Sequence, residues 1–233
     1  MNFGLILAGG VGTRMGKNIP KQYLIVEGKP VLVHTLEHFQ ECELIDRIVI
    51  VADAAWRTDI RCWLSRYGIT KFLDFADPGE SRQKSVFSGL TCCKKYAAGP
   101  GDIVAIHDAA RALTPTKQIT ELIKGVEGYD GCLPVLPMKD AIFFSETGDI
   151  IDSLTDRSKL FCAQSPECFR LLASWEINNS TPPEELDRTM ANWELAFRHN
   201  WRIHLHPGDE NSFKLTTPGD IDRMISLLRA GKA

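Results

Sequence analysis

Short, almost wholly apolar runs alternate along the chain with longer stretches in which apolar residues recur every three or four positions. The runs at 3–8, 47–51, 71–75, 103–107 and 131–135 have strand length, and their near-continuous hydrophobicity predicts strands covered on both faces. Helices fit the intervals. Pro30 suits a first helical position, with Leu32, Leu36 and Phe39 on one face. Ser81 is placed to cap a helix carrying Val86, Leu90 and Cys93, and Thr114-Pro115 opens a third through Ile119, Leu122 and Val126. Residues 138–163 break the rhythm: apolar segments at 141–144 and 150–154 flank the turn signal Glu146-Thr147-Gly148-Asp149, predicting a hairpin that projects from the sheet. Beyond Pro182-Pro183 the spacing of Leu186, Met190, Trp193 and Phe197 predicts one helix, followed by a strand at 201–206 and a last helix from about Thr217-Pro218. The pattern is that of an α/β fold: one domain over 1–233, a mainly parallel sheet with helices on both faces, and one β-arm excursion at about 138–163. Such a sheet binds its ligands outside the carboxyl ends of its strands.

Composition narrows the partners. With 44% apolar and 24% charged residues, the 233-residue chain has enough apolar surface for a full core. A net charge of -3 provides no basic footprint, so neither nucleic acid nor an anionic membrane is an expected partner. The opening apolar run is too short for a secretory signal and no later run spans a bilayer, which makes the cytoplasm the expected location. Seven cysteines with no C-x-x-C pair argue against a disulfide framework or a structural zinc site and read as small buried hydrophobes.

The first predicted strand runs directly into Ala8-Gly9-Gly10-Val11-Gly12-Thr13-Arg14-Met15-Gly16-Lys17. Glycines let several backbone N–H groups approach one anion, and Arg14 and Lys17 add charge that backbone dipoles cannot supply. The dinucleotide fingerprint fails because Met15 stands where a small residue is required. The P-loop fails because Val11 and Asn18 stand where glycine and a hydroxyl residue belong. What remains is a phosphate-binding loop of another kind, or a plain strand-to-helix turn.

The run Gly10-x-Gly12-x-Arg14-Met15, continued by Pro20-Lys21-Gln22-Tyr23, resembles the signature of the 2-C-methyl-D-erythritol 4-phosphate cytidylyltransferases and the related ribitol-5-phosphate cytidylyltransferases. The likeness continues at Gly79-Glu80-Ser81-Arg82 with Ser85-Val86, at His107-Asp108-Ala109-Ala110-Arg111, and at Lys214 to Asp220. It implies a Rossmann-like sheet, CTP and a small polyol phosphate as substrates, Mg²⁺ or another divalent cation, and a homodimer joined through the β-arm. It also implies roles. Arg14, Lys21 and Lys214 would bring positive charge to the triphosphate, where charge builds during in-line attack at the α-phosphorus. Ala8, Gly9, Gly10, Gly12 and Thr13, with Gly79 and Ser85, would take the nucleotide. Arg111, Asp140 and Arg157 would take the acceptor, Arg157 across the dimer, and Asp108 would hold the metal. The plainer readings are a helix cap for Ser85 and a turn cap for Asp108. His204 and His206 share a strand face but lack a third ligand, and read as surface or packing residues.

The departures from the family pattern gather on the acceptor side. Ala141 follows Asp140 where threonine is usual, Ala112 replaces the proline after Arg111, and a Thr-Asp-Asp-like stretch near 180–190 is not recognisable. Gln164-Ser165-Pro166-Glu167-Cys168-Phe169 modifies the usual Gln-Thr-Pro-Gln-x-Phe run. A site that bonds substrate hydroxyls discriminates through those bonds, so these changes bear on the acceptor more than on the reaction. Methylerythritol phosphate is the expected acceptor, with ribitol-5-phosphate or another polyol phosphate as the alternative. A nicotinamide-dependent oxidoreductase on a similar sheet is the rival class, with Met15 against it.

Overall fold

The fold comes from a computed structural model that describes residues 1–10 and 19–231. In chain order the strands and helices are β1 (Asn2–Leu7), β2 (Ile25–Val26), β3 (Lys29–Pro30), α1 (Val31–Glu41), β4 (Arg47–Val51), α2 (Arg57–Arg66), β5 (Phe72–Ala76), α3 (Arg82–Lys94), β6 (Ile103–Asp108) and α4 (Thr116–Lys124). There follow β7 (Gly131–Pro137), β8 (Phe143–Phe144), β9 (Ser153–Leu154), β10 (Phe161–Ala163), β11 (Glu167–Arg170), α5 (Leu171–Ser180), α6 (Pro183–Arg188), α7 (Asn192–Arg198), β12 (Ile203–Pro207) and α8 (Pro218–Arg229).

Strands β5, β4, β1 and β6 pair in parallel, so Ala76, Val51, Leu7 and Asp108 finish along one edge. Their apolar runs serve two cores at once. In β4, Ile48 and Ile50 face a cluster with Leu32, Phe39 and Ile119, while Val49 and Val51 face Val86, Leu90 and Leu195 on the other side. β6 divides likewise, with Ala105 on the first side and Val104 and Ile106 on the second. This two-residue period explains why the strands carry almost no polar positions. Each large side chain so buried stabilises the fold by roughly 1.5–3 kcal/mol.

Beyond β6 the sheet changes character. β11 runs antiparallel between β6 and β7, β10 pairs antiparallel with the far end of β7, and β12 pairs with β7 in parallel. Within the expected arm segment a short hairpin pairs β8 with β9, and Phe143, Phe144, Ile150, Ile151 and Leu154 are all exposed there. A third cluster, built from Val26, Val31, Leu113, Leu215 and Met224, fastens α8 beneath the loop that follows β6.

Several sequence signals act as their chemistry requires. The Ser81 hydroxyl accepts the Lys84 N–H at the start of α3, and Thr217 and Asp220 form a reciprocal capping box on α8. Pro30 precedes the first residue of α1 and closes the β2–β3 pair. The single helix expected after Pro183 is instead two, because Thr189 to Ala191 are extended and Met190 and Phe197 are left exposed. Two backbone groups that a continuous helix would pair internally go to side chains: Trp193 N–H to Glu167, and the Met190 carbonyl to Arg82.

Five of the cysteines are buried as small hydrophobes, whereas Cys62 and Cys162 are exposed. Among the described residues no helix is long and apolar enough to cross a membrane.

Candidate active site

The loop leaving β1 is tied down at its near end. Ala8 N–H continues the sheet by donating to Val51 O (2.8 Å), and Ala8 O accepts from Gln22 Nε2 (2.6 Å) and the Tyr23 hydroxyl (2.8 Å). Gln22 Nε2 also donates to Gly10 O (2.7 Å), so a side chain buried within a 3₁₀ turn at Lys21–Tyr23 shapes the start of the glycine run. Gly9 lies so close to the loop after β5 that a Cβ would come 2.4 Å from Pro78 Cβ, which reserves the position for glycine. Gly12, Thr13 and Arg14 lie outside the described residues.

Across the edge, Gly79 leaves equally little room: its Cβ would stand 2.4 Å from Lys84 Cβ. Its N–H donates to Ser85 Oγ (3.0 Å), and that hydroxyl donates to Ser81 O (3.0 Å). Ser85 is not the helix cap of the plainer reading, a role that Ser81 takes; within the first turns of α3 it holds the Gly79 loop against the helix.

Asp108 ends β6 and gathers charge from both chain directions. Arg82 Nε donates to Oδ1 (3.2 Å), and Lys214 Nζ donates to Oδ2 (2.8 Å). Burial alone would raise the Asp108 pKa, but Arg82, Lys214 and Arg111 outweigh it and hold the carboxyl well below the usual carboxylate range. Lys214 is delivered by an edge contact, in which Leu215 N–H donates to Ala110 O (2.9 Å) while Leu215 packs in the third cluster. Lys21 Nζ donates to Leu215 O (2.5 Å), so cations from the two ends of the chain meet at neighbouring residues.

Arg111 reaches Ser212 O through Nη1 (2.6 Å), while its buried Nε has no hydrogen-bond partner among the described residues. The loop beneath it is set by His107. Nε2 faces the Arg111 carbonyl (3.1 Å), which can only accept, so Nε2 carries the proton and Nδ1 must accept from Ser165 Oγ (3.0 Å). Ser165 Oγ in turn accepts from Asp108 N–H (3.2 Å). Burial pushes the His107 pKa down to about 3, in keeping with this neutral ring.

Asp140 and Arg157 stand apart from this group. Arg157 Nη1 donates to Lys139 O (2.6 Å) within the arm, and among the described residues no hydrogen bond or ion pair joins either side chain to Asp108, Arg111 or Lys214.

These positions can be compared with known proteins. The family model for 2-C-methyl-D-erythritol 4-phosphate cytidylyltransferase matches residues 3–229. The chain belongs to that family. A cytidylyltransferase of that name from Rubrobacter xylanophilus is 37% identical over 97% of this chain and 94% of its own length. A ribitol-5-phosphate cytidylyltransferase from Streptococcus agalactiae is 31% identical over 99% of this chain and 96% of its own. The crystal structure of a 4-diphosphocytidyl-2C-methyl-D-erythritol synthase superposes with a TM-score of 0.81 at 25% identity, covering 97% of this chain and 99% of that one. The chain is thus a CTP-dependent cytidylyltransferase, and the nicotinamide reading falls away.

Within the cytidylyltransferase edge, two residues outside the expected site set stand beside Asp108. Arg82 bridges Asp108 and Glu167, and Glu167, almost wholly buried, meets both Nη atoms of Arg82 at 3.2 Å. Arg82 was visible in its motif run; Glu167 showed only as a carboxylate where the family run has glutamine. For a metal, no group of three or more His, Cys, Asp or Glu side chains converges among the described residues. Among the described residues Asp108, at the end of β6, offers a single carboxylate, which fits a hard cation that takes one carboxylate and completes its shell with phosphate oxygens and water.

Proposed function

We propose that the chain transfers the cytidylyl group of CTP to 2-C-methyl-D-erythritol 4-phosphate, in the cytoplasm, as a homodimer joined through the β-arm. A phosphate oxygen of the acceptor attacks the α-phosphorus, the bond to the bridging oxygen of the β-phosphate breaks in line, and pyrophosphate leaves. The observation that carries the reading is that Lys214 bonds the Asp108 carboxylate at the sheet edge while Lys21, from the other end of the chain, bonds the carbonyl of the next residue, Leu215. Negative charge gathers on the non-bridging α-oxygens and on the leaving group as attack proceeds, and cations already held in place stabilise it without reorganising.

Arg14 joins this set by its motif position. Ala8, Gly9, Gly10 and Gly79 line the nucleotide side, where Gly9 and Gly79 have no room for a side chain, and Gly12 and Thr13 join them by motif position. Asp108 is the ligand for Mg²⁺, which when bound would neutralise phosphate charge and orient the triphosphate. Arg111, whose Nε lacks an acceptor, takes the acceptor phosphate, with Asp140 and Arg157 supplied from the arm.

The test is pyrophosphate release from each of the four nucleoside triphosphates against methylerythritol, ribitol, glycerol and hexose phosphates. CTP with methylerythritol 4-phosphate should give the highest kcat/KM. Ribitol-5-phosphate is the second reading, favoured by relatives at 31% identity and by Ala141 and Ser165 on the acceptor side. A higher kcat/KM with ribitol phosphate would replace the first reading with the second.

A further inference from the structure

Of the two cations on Asp108, one is fixed and the other is not. Arg82 opens α3 and is held at three further points: Glu167 Oε1 by Nη1 and by Nη2 (3.2 Å each), and Met190 O by Nη1 (3.4 Å). Among the described residues the Lys214 ammonium has one bond, to Asp108 Oδ2 at 2.8 Å, and its side chain is about a third exposed. When a triphosphate arrives, Lys214 is the cation able to leave Asp108 and follow the phosphate charge. Something must then keep Asp108 in place, and Arg82 does so only while its own position is fixed.

Glu167 is the residue that fixes it. Its carboxylate begins β11 opposite Ile106 of β6, so backbone pairing sets its height against Asp108 two residues further along. Oε1 takes the guanidinium, and Oε2 accepts the Trp193 N–H at 2.8 Å, where α7 begins. Neither oxygen is left to turn elsewhere. Arg82, Arg111 and Lys214 carry three positive charges against two negative charges on Asp108 and Glu167. With glutamine at 167 the surplus would double, and the guanidinium, having lost one of its two carboxylate partners, would be drawn off Asp108 toward any phosphate within reach.

We propose that Glu167 is a positioning residue for cytidylyl transfer: it clamps the Arg82 guanidinium onto Asp108, so that the carboxylate stays in register while Lys214 moves to the substrate. The inference rests on the transfer reading above. It concerns the step after CTP has bound, so it predicts a split between turnover and binding that a purely structural role would not produce. It also predicts that Glu167 acts only through Arg82.

The experiment compares wild type, Glu167→Gln, Arg82→Gln and the double variant, measuring kcat, the KM of each substrate, CTP affinity by titration, and the thermal midpoint. Glutamine keeps an acceptor for the Trp193 N–H, so E167Q should hold its midpoint within a few degrees. Its kcat should fall at least tenfold while the KM and affinity for CTP stay within about twofold. In the R82Q background, E167Q should change kcat less than twofold. A wild-type kcat in E167Q, or a lowered midpoint with kcat per folded molecule unchanged, would overturn the proposal, as would fully multiplicative losses in the double variant. If E167Q does not fold, the double variant, which removes both buried charges together, decides alone: at least a tenfold loss of kcat supports the clamp and near-normal turnover rejects it. Absence of pyrophosphate release by wild type with every acceptor would instead sink the transfer reading itself.

Discussion

Around Asp108, contacts span the chain: Arg82 lies 26 positions away, Lys214 lies 106 away, and Arg82 meets Glu167 across 85. On the arm they are short-range. Arg157 bonds Lys139 only 18 positions away, the hairpin pairs Phe143 and Phe144 with Leu154 and Ser153, and the apolar side chains of that hairpin face outward. The pairing of β10 with β7 and the Lys139–Glu210 ion pair, between two largely exposed side chains, tie the arm's base to the body. The edge is thus organised by one folded chain, whereas the arm presents groups that its own chain leaves uncovered. Charge chemistry on the triphosphate needs preorganisation inside the subunit; acceptor recognition, in the function proposed above, draws on a surface completed by a second copy.

Substitutions on the two sides should therefore differ in kind. The largest effect is expected at the edge, where Lys214→Ala and Lys21→Ala each lower kcat by roughly 10²–10³-fold with the fold retained, as for loss of one transition-state donor. Near-normal turnover in both would remove the basis for the contrast. Asp108→Asn comes next: the loss of carboxylate charge should raise the Mg²⁺ concentration for half-maximal activity, and an unchanged metal titration would count against Asp108 as ligand.

On the arm, Arg157→Ala should raise the acceptor KM by about tenfold, the scale of one hydrogen bond to a charged group, and leave the CTP KM alone. A matching rise for CTP would mean that arm and edge are one site. Phe143→Ser combined with Leu154→Ser should shift the sedimentation profile from dimer toward monomer, because both side chains are exposed within the subunit. An unmoved profile would take the arm out of the interface.

The smallest effect is a pH dependence of stability that belongs to the body. Burial lowers the pKa of His34 and of His38, against the opposing pull of nearby Glu37. In the unfolded chain both take protons below about 6.5, so their contribution is present in full above that pH and is lost as pH falls toward their lowered folded values. Each histidine can tilt stability by up to about 1.4 kcal/mol per pH unit in that window. Urea titrations at pH 7.5 and 5.5 should show the loss, and His34→Gln should remove its share of the slope while His38 and the more strongly depressed His107 keep theirs.

The strands of the parallel half were legible within a residue or so because their central positions are largely apolar and are covered from both faces of the sheet. β11 was not. It is four residues long, begins with a buried glutamate, and owes its place to antiparallel partners on both sides rather than to its own pattern. The same feature hid the clamp, since Glu167 and Arg82 meet only once β11 lies beside β6. The predicted helix through Met190 failed for a related reason: its spacing was helical, but Arg82 and Glu167 take backbone groups that the helix would have used. The cations Lys21 and Lys214 were found through their motif runs, and local pattern carried no hint that they would converge.

Because β11 runs against its neighbours, the chain returning from the arm reaches the catalytic edge almost at once. Ala163 still pairs with Val135, Ser165 already touches His107, and Glu167 already grips Arg82. Three residues separate the arm's stem from the clamp, too few to absorb slack. A displacement at the stem would reach the groups that hold Asp108 directly, so in the dimer proposed above the arm's seating and the edge's geometry would share one short tether.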